Sequence, residues 1–166
     1  MESADPTPRP TRRCPPRAVK RKPPLTRSEI MARVRGRDTG PEMVVRRLLH
    51  AMGYRYRVQA RWLPGRPDVA FTRRRRAVFV HGCFWHAHGC ARGMRVPKAN
   101  AAFWRAKFAR NKERDAEALQ ALAAQGWGAL TLWECELGDR DALAARLRAF
   151  LGPLRAADPE AGPQPA

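Results

Sequence analysis

The periodic segments of this chain run helix, helix, strand, strand, strand, helix, strand, helix, an order that predicts an α/β domain with a mixed central β-sheet flanked by helices. Two more observations support that class. The 166 residues have Pro-rich polar ends, which leaves one domain of about 125 residues, enough for a single hydrophobic core. Between the third strand and the long helix lies FVHGCFWHAHGC, residues 79–90, which holds three of the four histidines and two of the four cysteines. So dense a set of soft donors predicts a metal-tied loop inside the α/β frame.

The elements follow in order. Residues 1–25 carry seven prolines and almost no large apolar side chain, so they cannot offset chain entropy by burial and are expected to form a disordered basic arm. Order is expected over 26–152, with a second disordered tail at 153–166. Thr26-x-x-Glu29 is a capping box that opens a short helix to about Arg35. A second box, Thr39-x-x-Glu42 with Pro41 in its first turn, opens another helix, and Gly53 stops it. Val44, Val45, Leu48, Leu49 and Met52 give that helix its apolar face. Tyr54 to Val58 alternates as a half-buried strand. LPGRP is a turn, Asp68 leads the strand VAF, and the run RRRR at 73–76 turns the chain into AVFV, a hairpin that delivers the metal loop. A long helix runs from about Asn100 to Gln125, with Phe103, Phe108, Leu119 and Leu122 on its apolar side and Lys107, Arg110, Lys112 and Arg114 as a basic stretch. Gly128–Trp133 is a strand, and Asp141–Phe150 a closing amphipathic helix.

Cys83-x4-His88-x-Cys90 offers three ligands and tetrahedral zinc takes four, so the distant Cys135 is the candidate for the last. The plainer alternative is a set of ordinary buried thiols and hydrogen-bonded imidazoles, since cysteine is often buried without function. Against it stands the cost of desolvating three imidazoles within eight residues. Cys14 falls in the arm, far from any such partner, and takes no role.

Charge narrows the partner. The chain carries +18; seven basic and two acidic residues in 1–25, and one basic against two acidic in 153–166, leave +14 on residues 26–152. The excess belongs to the domain, so a polyanion, first of all nucleic acid, is expected. No apolar run approaches the ~20 residues that span a bilayer, and no apolar stretch follows the basic N-terminus as in a secretory signal. A cytoplasmic location and no membrane partner are expected, a setting in which clustered Cys and His suggest metal rather than disulfides.

Four motifs in order, LPGRPD at 63–68, FVHGCFWHAHGC at 79–90, NKERD at 111–115 and LWEC at 132–135, resemble those of the very short patch repair (Vsr) endonucleases. The likeness runs from TRSEIMARVRGRDT at Thr26 to about Leu151. It implies a restriction-endonuclease-like fold with one structural zinc site. It also implies magnesium-dependent nicking of double-stranded DNA beside the T of a T·G mismatch left by 5-methylcytosine deamination. A bacterial, nucleoid-associated monomer that hands its nick to downstream repair proteins is the corresponding expectation.

By position, the resemblance implies zinc on Cys83, His88, Cys90 and Cys135, and magnesium on Asp68 and the main-chain carbonyl of Val80, where the family often has Thr. It implies His86 as the catalytic histidine, with His81 and Glu42 assisting at the scissile phosphate. Phe84, Trp85 and Trp104 match aromatics that enter the base stack, Met31 a minor-groove wedge, and Lys107 and Asn111 residues near the mismatch. Val80-His81-Gly82 stands where restriction enzymes carry Asp/Glu-x-Lys, an absence usual in this family. Two alternatives remain: a non-catalytic zinc-stabilised DNA-binding module, which gives Asp68 and His86 no task, and a restriction enzyme that cuts both strands of matched DNA.

Overall fold

Residues 36–154 are described by the structure, a computed structural model. The helix expected over 26–35, the wedge candidate Met31, the arm 1–25 and residues 155–166 lie outside the described residues. The elements are α1 (Gly40–Ala51), β1 (Arg57–Val58), β2 (Val69–Phe71), β3 (Arg76–His81), α2 (Ala101–Ala124), β4 (Gly128–Trp133) and α3 (Arg140–Leu151), with 3-10 turns at Thr72–Arg74 and Glu134–Glu136.

The four strands form one mixed sheet in the order β1-β2-β3-β4. The first two pairings are antiparallel, and β3 runs parallel to β4 with α2 as the crossover. The period-two alternation of the strands sorts the core. Val69, Phe71, Val78 and Leu132 face Val45 and Leu49 of α1 and Leu143, Leu147 and Leu151 of α3. Ala70, Ala77 and Phe79 face the other way, onto Leu122 of α2 together with Ala60 and Leu63. With both faces covered, all three residues of β2 are buried.

The helix ends follow the sequence. Thr39 Oγ1 accepts from Glu42 N at 3.5 Å and donates to Glu42 Oε1 at 2.8 Å, and Gly53, at φ +85°, turns the chain out of α1. Asp139 caps α3 by accepting from Ala142 N at 2.9 Å.

Three local expectations change. The strand expected over Tyr54–Val58 shrinks to Arg57–Val58, which pair with Ala70 and Val69; in that register Tyr54 and Arg55 would need partners beyond Phe71, where β2 has already left the ladder for the Thr72 turn. Tyr54 is instead buried, with its hydroxyl donating to Gly152 O at 2.6 Å. Of the helical apolar set, Phe108 and Leu122 are buried, whereas Phe103 and Leu119 are exposed. Five helical steps put Phe103 about 140° round from Phe108, off the sheet-facing side.

The arginine run is the third. Arg73 and Arg74 sit in the 3-10 turn, Arg75 is left-handed at φ +50°, and Arg76 already belongs to β3. Arg74 donates to Leu151 O at 2.8 Å and Pro153 O at 3.0 Å, Arg76 Nε to Phe150 O at 3.4 Å, and Arg75 to Gln125 O. These guanidiniums therefore satisfy carbonyls at the ends of α2 and α3, where the helix dipole favours cations.

Candidate active site and metal centre

Strand register builds the metal cluster. His81 pairs with Trp133 as the last rung of the parallel β3–β4 ladder, so Cys83 and Cys135 each stand two residues past the end of adjacent strands. The loop after β3 then brings back His88 and Cys90, with Ala87 at φ +45° and a turn bond from His88 N to Cys83 O at 3.0 Å. At Gly93 an added Cβ would lie 2.0 Å from His88 O, so this loop closes only over a glycine. Arg92 reaches across to Glu134 Oε1 at 3.2 Å.

The ligand atoms of Cys83, His88, Cys90 and Cys135 all lie within 4.8 Å of one another, and Cys135 Sγ is 3.5 Å from His88 Nδ1. Two sulfurs bound tetrahedrally to one zinc would stand about 3.8 Å apart, so the set needs only slight contraction to close on an ion. The thiols pull in opposite directions. Hydrogen bonding from His88, then from Gly93 N–H, brings Cys90 down to about 6. Loss of hydration, then the neighbouring Cys83 and Cys90, pushes Cys135 up to about 12. Cys135 is exposed as a residue, yet its sulfur lies inside the cluster. Three sulfurs this close cannot all ionise unless a cation shares the charge, and the donor set therefore fits a divalent metal.

On the same strand ends lies a second cluster, His81, His86 and Asp115, whose ligand atoms also fall within 4.8 Å of one another. His86 Nδ1 and Asp115 Oδ2 are 2.5 Å apart, and His81 Nδ1 is 3.8 Å from the same oxygen. The two imidazoles stack with centroids 3.8 Å apart and planes 8° from parallel. Burial first, and the nearby His86 second, bring His81 down to about 4 against the opposing pull of Asp115, so His81 is neutral at physiological pH. An aspartate on Nδ1 orients the His86 ring and leaves Nε2 as the nitrogen available to a substrate. Asp115 was not singled out in the sequence, although it closes the NKERD segment; nothing local says that this helical residue meets the loop.

Asp68 joins this face through β3. Its Oδ2 accepts from Val80 N at 2.7 Å, one residue from His81. Burial raises Asp68 to about 6, the Val80 N–H bond works against it, and the charge of Glu42 adds to the rise. A carboxylate held so high by desolvation is one that a hard cation would relieve. Glu42 itself is committed elsewhere. It accepts from Asp38 N at 3.0 Å, from the Thr39 hydroxyl, and from Arg46 Nη2 at 2.8 Å, so the capping function seen in the sequence is met. It acts on Asp68 through its charge.

The aromatics gather where the metal loop meets the first half of α2. Phe84 contacts Trp85, Trp104 and Phe108 edge-on at 5.2, 5.3 and 5.4 Å. Lys107 Nζ stands over Trp85 at 5.3 Å and Trp104 at 5.5 Å, and Asn111 Nδ2 donates to Trp85 O at 2.8 Å. Five of the residues expected at the DNA, Phe84, Trp85, Trp104, Lys107 and Asn111, thus meet on one loop and one helix. Phe103, Lys107, Arg110, Asn111 and Arg114, with Glu113 and Glu117, line a shallow groove along the same helix.

Lys107, Arg110 and Arg114 outnumber the two glutamates of this groove, so it can take a polyanion, and the geometry of the His86–Asp115 pair suits the acceptance of a proton. In class this is a phosphodiester-cleaving enzyme, which works with a divalent cation. Comparison with known proteins gives the family. A family model described as DNA mismatch endonuclease Vsr matches residues 21–92. The type II nicking enzyme V.XorIIP of Xanthomonas oryzae pv. oryzae is 48% identical over 130 residues, 78% of this chain and 95% of that protein. The DNA mismatch endonuclease Vsr of Escherichia coli is 42% identical over 118 residues, 71% and 75% of the two chains. The type II nicking enzyme V.NmeAIP of Neisseria meningitidis is 35% identical over 129 residues, 78% and 91%. The chain belongs to the Vsr family of DNA mismatch endonucleases. Among the described residues, no helix is long and apolar enough to cross a membrane.

Proposed function

We propose that this mismatch endonuclease nicks one strand of double-stranded DNA beside the T of a T·G mismatch, by magnesium-dependent hydrolysis in very short patch repair, on a restriction-endonuclease-like fold. The observation that carries the reaction is the His86–Asp115 pair, together with the desolvated Asp68 bonded to Val80 N at the end of the strand that carries His81. Magnesium, when bound, neutralises phosphate charge and activates water. Asp68 and the Val80 carbonyl would hold it, both hard oxygens. His86, oriented by Asp115, takes the proton of the attacking water at Nε2. His81 stays neutral and packs against that ring, and Glu42 keeps the local field negative, which favours a cation at Asp68. Zinc on Cys83, His88, Cys90 and Cys135 is structural, because three thiolates and an imidazole leave no open position for water.

Recognition is mechanical. A T·G wobble pair has nearly the size of a normal pair, and phosphate contacts cannot read it, but a mismatched step unstacks more readily. Phe84, Trp85 and Trp104 enter the stack from the major groove, and Met31 supports them from the minor groove. Lys107 and Asn111 would stand near the mismatch; in the free protein they cover and fix the Trp85 segment. The protein acts as a monomer in the cytoplasm, on nucleoid DNA, and leaves its nick to downstream repair proteins.

Single-turnover nicking of paired T·G and T·A duplexes, with and without magnesium, tests this. The expected result is one strand cut, only in the T·G duplex and only with magnesium. Double-strand cleavage of the matched duplex, or binding with no cleavage, would replace the reading.

A further inference from the structure

The connection between β1 and β2 is built to expose an indole. Gln59 N donates to Asp68 O and Ala60 N to Pro67 O, both at 3.2 Å, so the hairpin ladder continues to the loop's neck. Inside, Leu63 N bonds Ala60 O at 3.0 Å and Arg66 N bonds Leu63 O at 3.1 Å. Ala60, Leu63 and Pro67 are buried beneath the loop. At its tip Gly65, at φ +72°, lies so close to α2 that an added Cβ would come within 2.6 Å of Ala118 Cβ and 3.1 Å of Phe79. Ala60, Leu63, Gly65 and Pro67 thus pin the loop, and Pro64 is half-buried. Trp62, by contrast, is 57% exposed.

Its neighbours are cationic. Arg61 and Arg66 are exposed and, among the described residues, make no ion pair or hydrogen bond through their side chains. The 25 residues between Glu42 and Asp68 contain no carboxylate, so nothing nearby on the chain neutralises them. A rigid loop that presents one large aromatic between two unpaired guanidiniums is an anion-binding surface with an apolar centre.

Its place relative to the site follows from α2. Trp104 and Lys107 meet the aromatic cluster, Asn111 bonds Trp85, Asp115 meets both histidines, and Ala118 receives Gly65. These residues recur every three or four positions and so lie on one stripe of the helix. The wedge stands at one end of that stripe, the reaction centre in the middle and the loop at the other. Trp104 to Ala118 spans about 21 Å at 1.5 Å per residue, which equals about six base-pair steps of 3.4 Å.

We propose that the loop Ala60–Pro67 is a second duplex-binding surface, in which the Trp62 indole lies against a deoxyribose and Arg61 and Arg66 hold the flanking phosphates, on the opposite side of the His86–Asp115 pair from the aromatic wedge. The proposal rests on the DNA-endonuclease reading and extends it. One helix sets the distance between the point where the stack is opened and the point where the duplex is gripped.

The test measures affinity of a labelled T·G duplex across a salt series for the wild type, Trp62→Ala, Trp62→Phe and the pair Arg61→Gln/Arg66→Asn. Trp62→Ala should weaken binding about tenfold with little change in salt slope, and Trp62→Phe should recover most of it. The arginine pair should lower the slope of log K against log salt by about two. The loss should fall on affinity rather than on the single-turnover rate at saturating DNA. Duplexes shortened from one end should cost the wild type a step in affinity once that arm is under about six base pairs, and should cost Trp62→Ala, which keeps only the arginine contacts there, a clearly smaller one. Affinity and slope within twofold of wild type for the alanine and arginine variants, or an equal step in all proteins, would overturn the proposal. Weakened binding in the variants together with a wild type that never nicks T·G DNA would instead leave the loop contact standing and remove the endonuclease reading.

Discussion

Asp115 Oδ2 lies 2.5 Å from His86 Nδ1, although 29 residues separate them along the chain. The bond links the middle of α2 to the metal loop, and the same oxygen is 3.8 Å from His81. One carboxylate therefore orients the ring proposed to move the proton and also lies close to the second imidazole.

Asp115→Asn should therefore slow single-turnover nicking by about 10²-fold while leaving the affinity for duplex DNA within a few-fold. An asparagine can present its amide to Nδ1 and favour the wrong tautomer. His86→Ala should lose as much, and the double variant little more, because the two act as a unit. Additive losses would show that Asp115 works elsewhere.

Asp68 gives a prediction with a definite sign. Its carboxyl titrates at about 6 in the fold against 3.8 in an unperturbed aspartate, so the metal-free fold holds this proton more tightly than the unfolded chain does. Below 3.8 both states are protonated and nothing is lost. Between 3.8 and 6 the unfolded chain ionises first and stability falls as pH rises; above 6 the loss is complete, at about 3 kcal/mol or less. Asp68→Asn should raise the metal-free melting temperature at pH 7.5 and abolish nicking. In the wild type, protons and magnesium compete for the same oxygens, so the acid limb of the nicking profile should move to lower pH as magnesium is raised. An acid limb independent of magnesium would remove Asp68 from the cation site.

Zinc analysis tests the four-residue cluster. About one zinc per chain is expected, and Cys135→Ser should lower that content and the melting temperature by about 5 °C or more, since affinity for a structural metal is folding free energy. Undiminished zinc in a folded Cys135→Ser protein would take Cys135 out of the ligand set.

For the wedge, the informative variant is Trp85→Ala. Trp85 is only partly buried, and its ring is held by Phe84, Trp104 and Lys107. Its loss should cut nicking of T·G duplex far more than binding to matched DNA, with binding still strongly salt-dependent. Equal losses on both duplexes in a folded protein would make Trp85 a scaffold residue.

Much of this molecule was legible where a few neighbouring residues settle the matter. Thr39, Gly53 and Gly128–Trp133 gave helix ends and a strand close to those observed, because capping and backbone conformation depend on the residues immediately around them. The spacing of Cys83, His88 and Cys90 pointed to a cluster, and their ligand atoms do lie together, whereas the role proposed for Asp68 came from the family resemblance of its motif.

What remained was decided by pairs far apart in sequence. Cys135 meets Cys83 because the parallel register sets His81 against Trp133, and a shift of one residue would turn the sulfur to the other face. Asp115 reaches His86 only once α2 has crossed the sheet. Tyr54 and Tyr56 alternate as a strand should, yet the ladder stops at Arg57, and Tyr54 is spent on a bond to Gly152 O instead. Arg74, Arg75 and Arg76 read in sequence only as part of a turn between two strands; the ends of α2 and α3 give their guanidiniums carbonyls to bond. Sequence by itself determined the elements, their caps and the chemistry available on each; the tertiary structure decided which of those groups touch, because a contact across many residues depends on register and packing that no short segment contains.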